Sequence, residues 1–214
     1  MNNSTFVVIL FYISINQTNP RVKSKDTFSQ WLEVAYIEFA HYGPEFSLKA
    51  LAKKTNLPRA TFYYHFDDKE HLISELLQYH KNQIHRYQKD LKNEVKELIP
   101  DLYQLMFNYK HGIMFHQQLF IHCDVEAFYR LYKDANETSI KILLPLIKAL
   151  FDTDKTDREI IQFYHILTDA WYIRLNAKQF TVESMINLAT DIMENTLGLC
   201  VSPYYIEVPD RTMK

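Results

Sequence analysis

The stretch Phe46-Ser47-Leu48-Lys49-Ala50-Leu51-Ala52-Lys53-Lys54-Thr55-Asn56-Leu57-Pro58-Arg59-Ala60-Thr61-Phe62-Tyr63-Tyr64-His65-Phe66 decides how this chain reads. At about 100° per residue, Leu48, Leu51, Ala52 and Thr55 share one arc of a helix, and Lys49, Lys53 and Lys54 take the opposite arc. Ser47 is a suitable N-cap for that short helix. Asn56 and Leu57 predict a tight corner, and Pro58, tolerated in a first helical turn, opens a second short helix to about Tyr64. Phe62 is its core residue, joined by Leu57 and Phe66, which leaves Arg59, Ala60, Thr61, Tyr63 and Tyr64 more exposed. Helices this short are not stable alone and must lean on a neighbour.

That neighbour precedes them. Phe28, Trp31, Leu32, Ala35 and Phe39 recur at spacings of three and four, predicting a helix from Thr27 to His41 that Gly43 and Pro44 stop. On the other side, Asp67 followed by Glu70 predicts a capped start for a long helix through about Leu91. The two short helices then form a helix-turn-helix, whose second helix enters the major groove of DNA. Hydroxyls, one guanidinium and the small Ala60 suit contact with phosphates and base edges. Charge points the same way. The chain carries a net charge of -2, but Phe46 to Phe66 holds Lys49, Lys53, Lys54 and Arg59 and no acid. Such a stretch is a candidate phosphate-binding patch or, more plainly, a solvated helix face.

The same residues, with Lys69-Glu70-His71-Leu72 after them, resemble the DNA-binding signature of TetR/AcrR-type transcriptional regulators. Thr61, Tyr63, His65, Phe66, Lys69 and Leu72 carry the resemblance, which covers roughly residues 25–75. Asn56 stands where the family usually has Gly, and Pro58 and Ala60 replace the more usual Ser and Gly. Asn tolerates a left-handed backbone, so the turn is expected to survive. The resemblance implies that Lys49, Arg59, Ala60, Thr61, Tyr63, Tyr64, His65 and Lys69 face DNA, with Tyr63 and Lys69 on phosphate and Arg59 on a base edge. Packing between helices is the alternative for Tyr64 and His65.

The remainder reads as helices near 95–109, 113–121, 125–151, 157–177 and 182–197, with Pro145 kinking rather than ending its helix. The expected fold is therefore all-α: a helix-turn-helix DNA-binding domain over 21–72, a larger helical ligand-binding and dimerisation domain over 73–200, and a tail over 201–214. Apolar residues from Ile160 to Leu175 populate nearly the whole circumference of one helix, so the last two helices are expected to pack against a second copy as well as inward. The resemblance implies a two-fold dimer of this kind, bound to a pseudo-palindromic duplex. Aromatic residues between Tyr103 and Tyr132, mixed with histidines, suggest an apolar cavity for a small apolar or amphipathic effector. Phe107, His111, Phe115, His116, Phe120, Phe128 and Trp171 are its candidate residues; ordinary core is the alternative for each.

Other classes fit less well. Three glycines, Gly43, Gly112 and Gly198, are too few and scattered for a nucleotide-binding loop. Cys123 and Cys200 form no disulfide framework or metal pair, which suits a cytoplasmic protein. Nine histidines and the spacings Glu38-x-x-His41 and Asp68-x-x-His71 raise a di-iron-like bundle as an alternative, but His41 points away from the apolar arc. No enzyme motif, cofactor or metal site is expected. A helical adaptor binding only proteins is a further alternative. Residues 1–20 carry no charged side chain, and their apolar run from Phe6 to Ile15 is too short to span a bilayer. It lacks the flanks of an export signal, so residues 1–20 are read as an extension outside the main fold, with no membrane partner.

Overall fold

The structure, a computed structural model, describes residues 26–151 and 155–196, with the side chains of residues 150, 151 and 196 left aside. The extension read over 1–20, Gly198, which by its place after the last apolar residue reads as a helix cap, and the tail over 201–214 lie outside the described residues. Among those described, the chain forms nine α-helices and no strand: α1 Thr27–Tyr42, α2 Leu48–Thr55, α3 Arg59–His65, α4 Lys69–Glu94, α5 Tyr103–Asn108, α6 Lys110–Ile121, α7 Glu126–Phe151, α8 Asp157–Arg174 and α9 Val182–Asp191.

Local chemistry sets most of the boundaries. Asp26 caps α1 by accepting from the Ser29 amide at 2.7 Å. The helix ends at Gly43, whose φ is 58° and ψ -150°, an extended conformation with positive φ. A Cβ there would stand 2.6 Å from His122 Nε2 and 2.7 Å from Gln118 Oε1 at the end of α6, so only glycine allows that approach. Ser47 caps α2 through the Ala50 amide at 3.3 Å, and Asn56 turns the corner in the left-handed region with φ 54° and ψ 30°. Pro58 occupies the N-cap position of α3 rather than its first turn.

Two expected boundaries shift. The start of α4 lies one residue later than the Asp67 cap: Asp68 accepts from the His71 amide at 2.7 Å, and His71 Nδ1 accepts from the Asp67 amide at 3.2 Å. His71 thus plays the part expected of Glu70. The helix expected over 95–109 is instead an extended Val95, a wide turn over Leu98–Leu102 and the short α5. Pro100 is the cause, because it lacks an N–H and disfavours helical backbone at Ile99, which sits at φ -125° and ψ 124°. Helix α7, by contrast, runs on through Pro145, whose ring is exposed.

One apolar core runs through the molecule. Helices α2 and α3 lean on one side of α1 through Leu51, Phe62 and Phe66, and α1 presents Tyr36 and Phe39 to α6. There the Phe115 ring stacks on both, with centroids 4.7 Å from Tyr36 and 4.1 Å from Phe39, and Phe128 of α7 meets Phe39 edge-on at 5.7 Å. The amino-terminal head, α1 to α3, is therefore joined to the rest by this aromatic stack as well as by the continuous helix α4. Farther in, Gln117 of α6 donates to the Tyr172 and Leu175 carbonyls at 2.9 Å each, closing the end of α8, and Trp171 donates to the Met185 carbonyl at 3.2 Å.

Candidate nucleic-acid interface and ligand cavity

Helix α3 is held against α1 by two polar ties. Trp31 Nε1 donates to Thr61 Oγ1 at 3.0 Å while Thr61 donates to the Pro58 carbonyl at 2.7 Å; His65 Nε2 and Thr27 Oγ1 share a hydrogen bond of 2.6 Å. Thr61 and His65 are consequently half-buried and orient the helix, and the Phe28 ring meets that of His65 edge-on. Arg59, Ala60, Tyr63 and Tyr64 are exposed on the outer side, Tyr64 to 84%. Arg59 Nη2 donates to the Tyr63 hydroxyl at 3.2 Å with its guanidinium 5.7 Å from that ring, so the two side chains are presented together. Lys49 and Lys53 are exposed on α2, and Lys69, at the first turn of α4, lies half-buried with Nζ 4.8 Å from the Phe46 ring centroid.

The basic stretch is not uniform. Lys54 Nζ bonds Glu38 Oε1 at 2.5 Å, and Glu38 is a buried residue of α1 at 3% exposure. That carboxylate neutralises one of the four basic side chains, which a count over 46–66 alone does not register because the acid lies sixteen positions before the lysine. The pair ties α2 to α1. It also occupies Glu38, one half of the Glu38-x-x-His41 spacing, whose His41 is exposed. Among the described residues, no group of three His, Cys, Asp or Glu side chains is placed to hold a metal ion, and no helix is long and apolar enough to cross a membrane.

Behind the head, a cavity of about 130 Å³ is bounded by α4 to α9. Of the residues singled out in the sequence, His116 and Trp171 line it, and Phe107, His111, Phe115, Phe120 and Phe128 do not. Phe107 and His111 are exposed; Phe115 and Phe128 fill the joint between α1 and α6; Phe120 packs on Tyr132 at 5.0 Å. The walls come instead from residues spread one or two per turn over several helices, including Tyr87, Tyr103, Met106, Asn136, Leu143, Tyr164 and Met193. Helical spacing marks these as inward-facing but does not show which of them leave space between them. No Asp, Glu, Lys or Arg lines the cavity. Burial pushes the Tyr87, Tyr103, Tyr164 and Tyr172 hydroxyls above their ordinary pKa, so they stay neutral phenols. Burial likewise lowers His116 to about 4 and His80 well below the usual histidine range, His80 also through His116, so both rings are neutral near pH 7.

A three-helix head with an exposed second short helix, followed by a larger helical lobe with a partly open cavity, is a build suited to binding DNA. Residues 32–76 match the family model of bacterial regulatory proteins, tetR family, so the amino-terminal head is a domain of that type. No curated protein matches it. Among solved structures, a transcriptional regulator (TerR/AcrR family) from Aquifex aeolicus VF5 is similar at 20% identity and a TM-score of 0.49, over 79% of this chain and 96% of that one.

Proposed function

We propose that this regulator is a two-fold homodimer whose DNA affinity is set by a small effector bound in the cavity, most simply a repressor released from its operator when the effector binds. In this reading residues 21–72 form the DNA-binding domain and residues 73–200 the effector and dimer domain. The exposed Arg59-Tyr63 pair on α3 carries the reading, because a guanidinium held by a neighbouring ring on an outward-facing short helix is presented for a base edge. Lys49, Lys53, Tyr63 and Lys69 contact phosphates, Ala60 allows close approach, and Thr61 and His65 hold α3 at its angle. The uncovered apolar face of α8, with Ile166 58% and Ile173 70% exposed, supports the dimer.

Selection of bound sites from random duplex DNA tests this. The expected result is a pseudo-palindrome with half-sites about one turn, roughly 34 to 36 Å, apart, or a small multiple of it. Recovery of no preferred sequence overturns the reading.

A further inference from the structure

Tyr36, His80, His116 and Asn136 come from α1, α4, α6 and α7 and form one line of hydrogen bonds through the core. Tyr36 Oη meets His80 Nδ1 at 2.8 Å, His80 Nε2 meets His116 Nδ1 at 3.3 Å, and His116 Nε2 meets Asn136 Oδ1 at 3.3 Å. All four residues are buried, at 7%, 2%, 6% and 8% exposure in that order. The direction of the line is fixed from its α1 end. Burial raises the Tyr36 hydroxyl above its ordinary pKa, so it keeps its hydrogen, and His80 Nδ1 is its one hydrogen-bond partner among the described residues. A buried hydroxyl hydrogen needs an acceptor, so His80 Nδ1 accepts.

The rest follows from the arithmetic of neutral imidazole, which carries one N–H and one bare nitrogen. His80 must hold its hydrogen on Nε2 and donate to His116 Nδ1; His116 must hold its hydrogen on Nε2 and donate to Asn136 Oδ1. Every donor points away from the reading head and toward the cavity. The last donor in the line, Asn136 Nδ2, is buried in the cavity wall with no hydrogen-bond partner. Its nearest candidate acceptor is the Tyr132 hydroxyl, whose pKa the Asn136 side chain lowers by a weak polar contact, but the two fall short of hydrogen-bond geometry, and Tyr132 gives its own hydrogen to Asp169 at 2.6 Å. Buried polar groups are rarely left unpaired, and an orphan of this kind calls for a partner.

We propose that the partner is the effector: an uncharged, mainly apolar molecule of about one aromatic ring that presents an acceptor oxygen, such as that of a ketone, aldehyde, ester or amide, to Asn136 Nδ2. This rests on the cavity being the effector site, as read above. Size follows from the volume of about 130 Å³, close to that of a cavity able to hold one benzene ring. Neutrality follows from walls without a charged side chain, in which an unpaired carboxylate or ammonium is costly to bury. The effector would complete a chain of bonds that begins on α1, a helix of the reading head.

Three probes of one shape separate these statements: acetophenone, α-methylstyrene, in which a CH₂ replaces the carbonyl oxygen, and benzoate. Calorimetric titration of the full chain should show acetophenone binding about tenfold more tightly than α-methylstyrene, the effect of satisfying one buried donor, with benzoate weakest. Asn136→Leu should erase the preference and still bind α-methylstyrene, which also shows that the variant folds. Equal affinities of wild type for the two neutral probes, tighter binding of benzoate, or no binding of either neutral probe overturns the proposal. An acetophenone preference with unchanged affinity for the selected duplex DNA supports this ligand chemistry and refutes effector control of DNA binding instead.

Discussion

Lowering the pH from 7 to 5 should weaken the fold through His116 before any capping carboxylate contributes. Burial holds its folded-state pKa at about 4, whereas in the unfolded chain it returns to 6.5. Between those values the unfolded chain binds the proton and the folded chain does not, so the stability that neutral His116 represents is complete above pH 6.5 and is lost as the pH falls to about 4. A difference of that size corresponds to about 3 kcal/mol in total, of which about 2 kcal/mol is gone by pH 5. His80 adds to the loss with the same sign, being held well below the usual range by burial and by His116. Asp26, Glu159 and Asp191 have carboxyls lowered by their hydrogen bonds, so their contributions disappear only below the ordinary carboxylate range. Urea unfolding at fixed protein concentration and ionic strength should show the midpoint falling by about 1 M between pH 7 and pH 5, for a denaturant slope of about 2 kcal/mol per M. His116→Gln, which cannot titrate, should lose less over the same interval, keeping only the share of His80, even if its midpoint at pH 7 is lower. A variant whose midpoint drops as far as that of wild type would refute the assignment.

Gly43→Ala should destabilise the protein by about 1–3 kcal/mol, because alanine is strained at this positive φ and its Cβ meets His122 and Gln118; thermal unfolding reads the loss, and an unchanged midpoint contradicts it. Lys54→Met should lower stability by leaving Glu38 buried without its cation, and adding Glu38→Gln should recover part of the loss in chemical denaturation, since the neutral amide is less costly to bury. Arg59→Ala should cost about 1–3 kcal/mol on the selected DNA sequence and relax its sequence preference, whereas Lys69→Ala should weaken all duplexes similarly in the same binding assay. Ile166→Glu should shift the sedimentation of the protein from dimer to monomer; a monomeric wild type would contradict the assembly.

What the sequence made legible is what neighbouring residues settle among themselves. Ser47, Asn56 and Phe62 mark the cap, the corner and the buried face of α2 and α3 within a few positions, and the structure places each in that role. Adjacent rivals are harder: Asp67 and Asp68 are equally good caps by type, and the structure seats the second on the His71 amide while the His71 ring takes the Asp67 amide. Ties between distant positions are not legible at all. Trp31 with Thr61 and Glu38 with Lys54 depend on how α1 crosses its neighbours, so Thr61, singled out for DNA, also ties α3 to α1, and a lysine that reads as free charge is paired. The cavity is the extreme case. Aromatic density drew attention to Phe115 and Phe128, yet their size suits them to fill a joint, and the open space lies where smaller contributions from six helices fail to meet.

The Tyr36-Phe39-Phe115 stack bears on how far this head can be exchanged between regulators. A chimera that joins residues 26–72 to a foreign helical lobe through a break inside α4 keeps the covalent connection and abandons the aromatic one. Tyr36 and Phe39 would then face a surface lacking the Phe115 ring and the edge of Phe128. The acceptable crossover has to carry those two residues, with Gln118 and His122 at the Gly43 corner, into the new lobe. Heads of this build are transplantable only together with the strip of α6 and the start of α7 on which α1 rests.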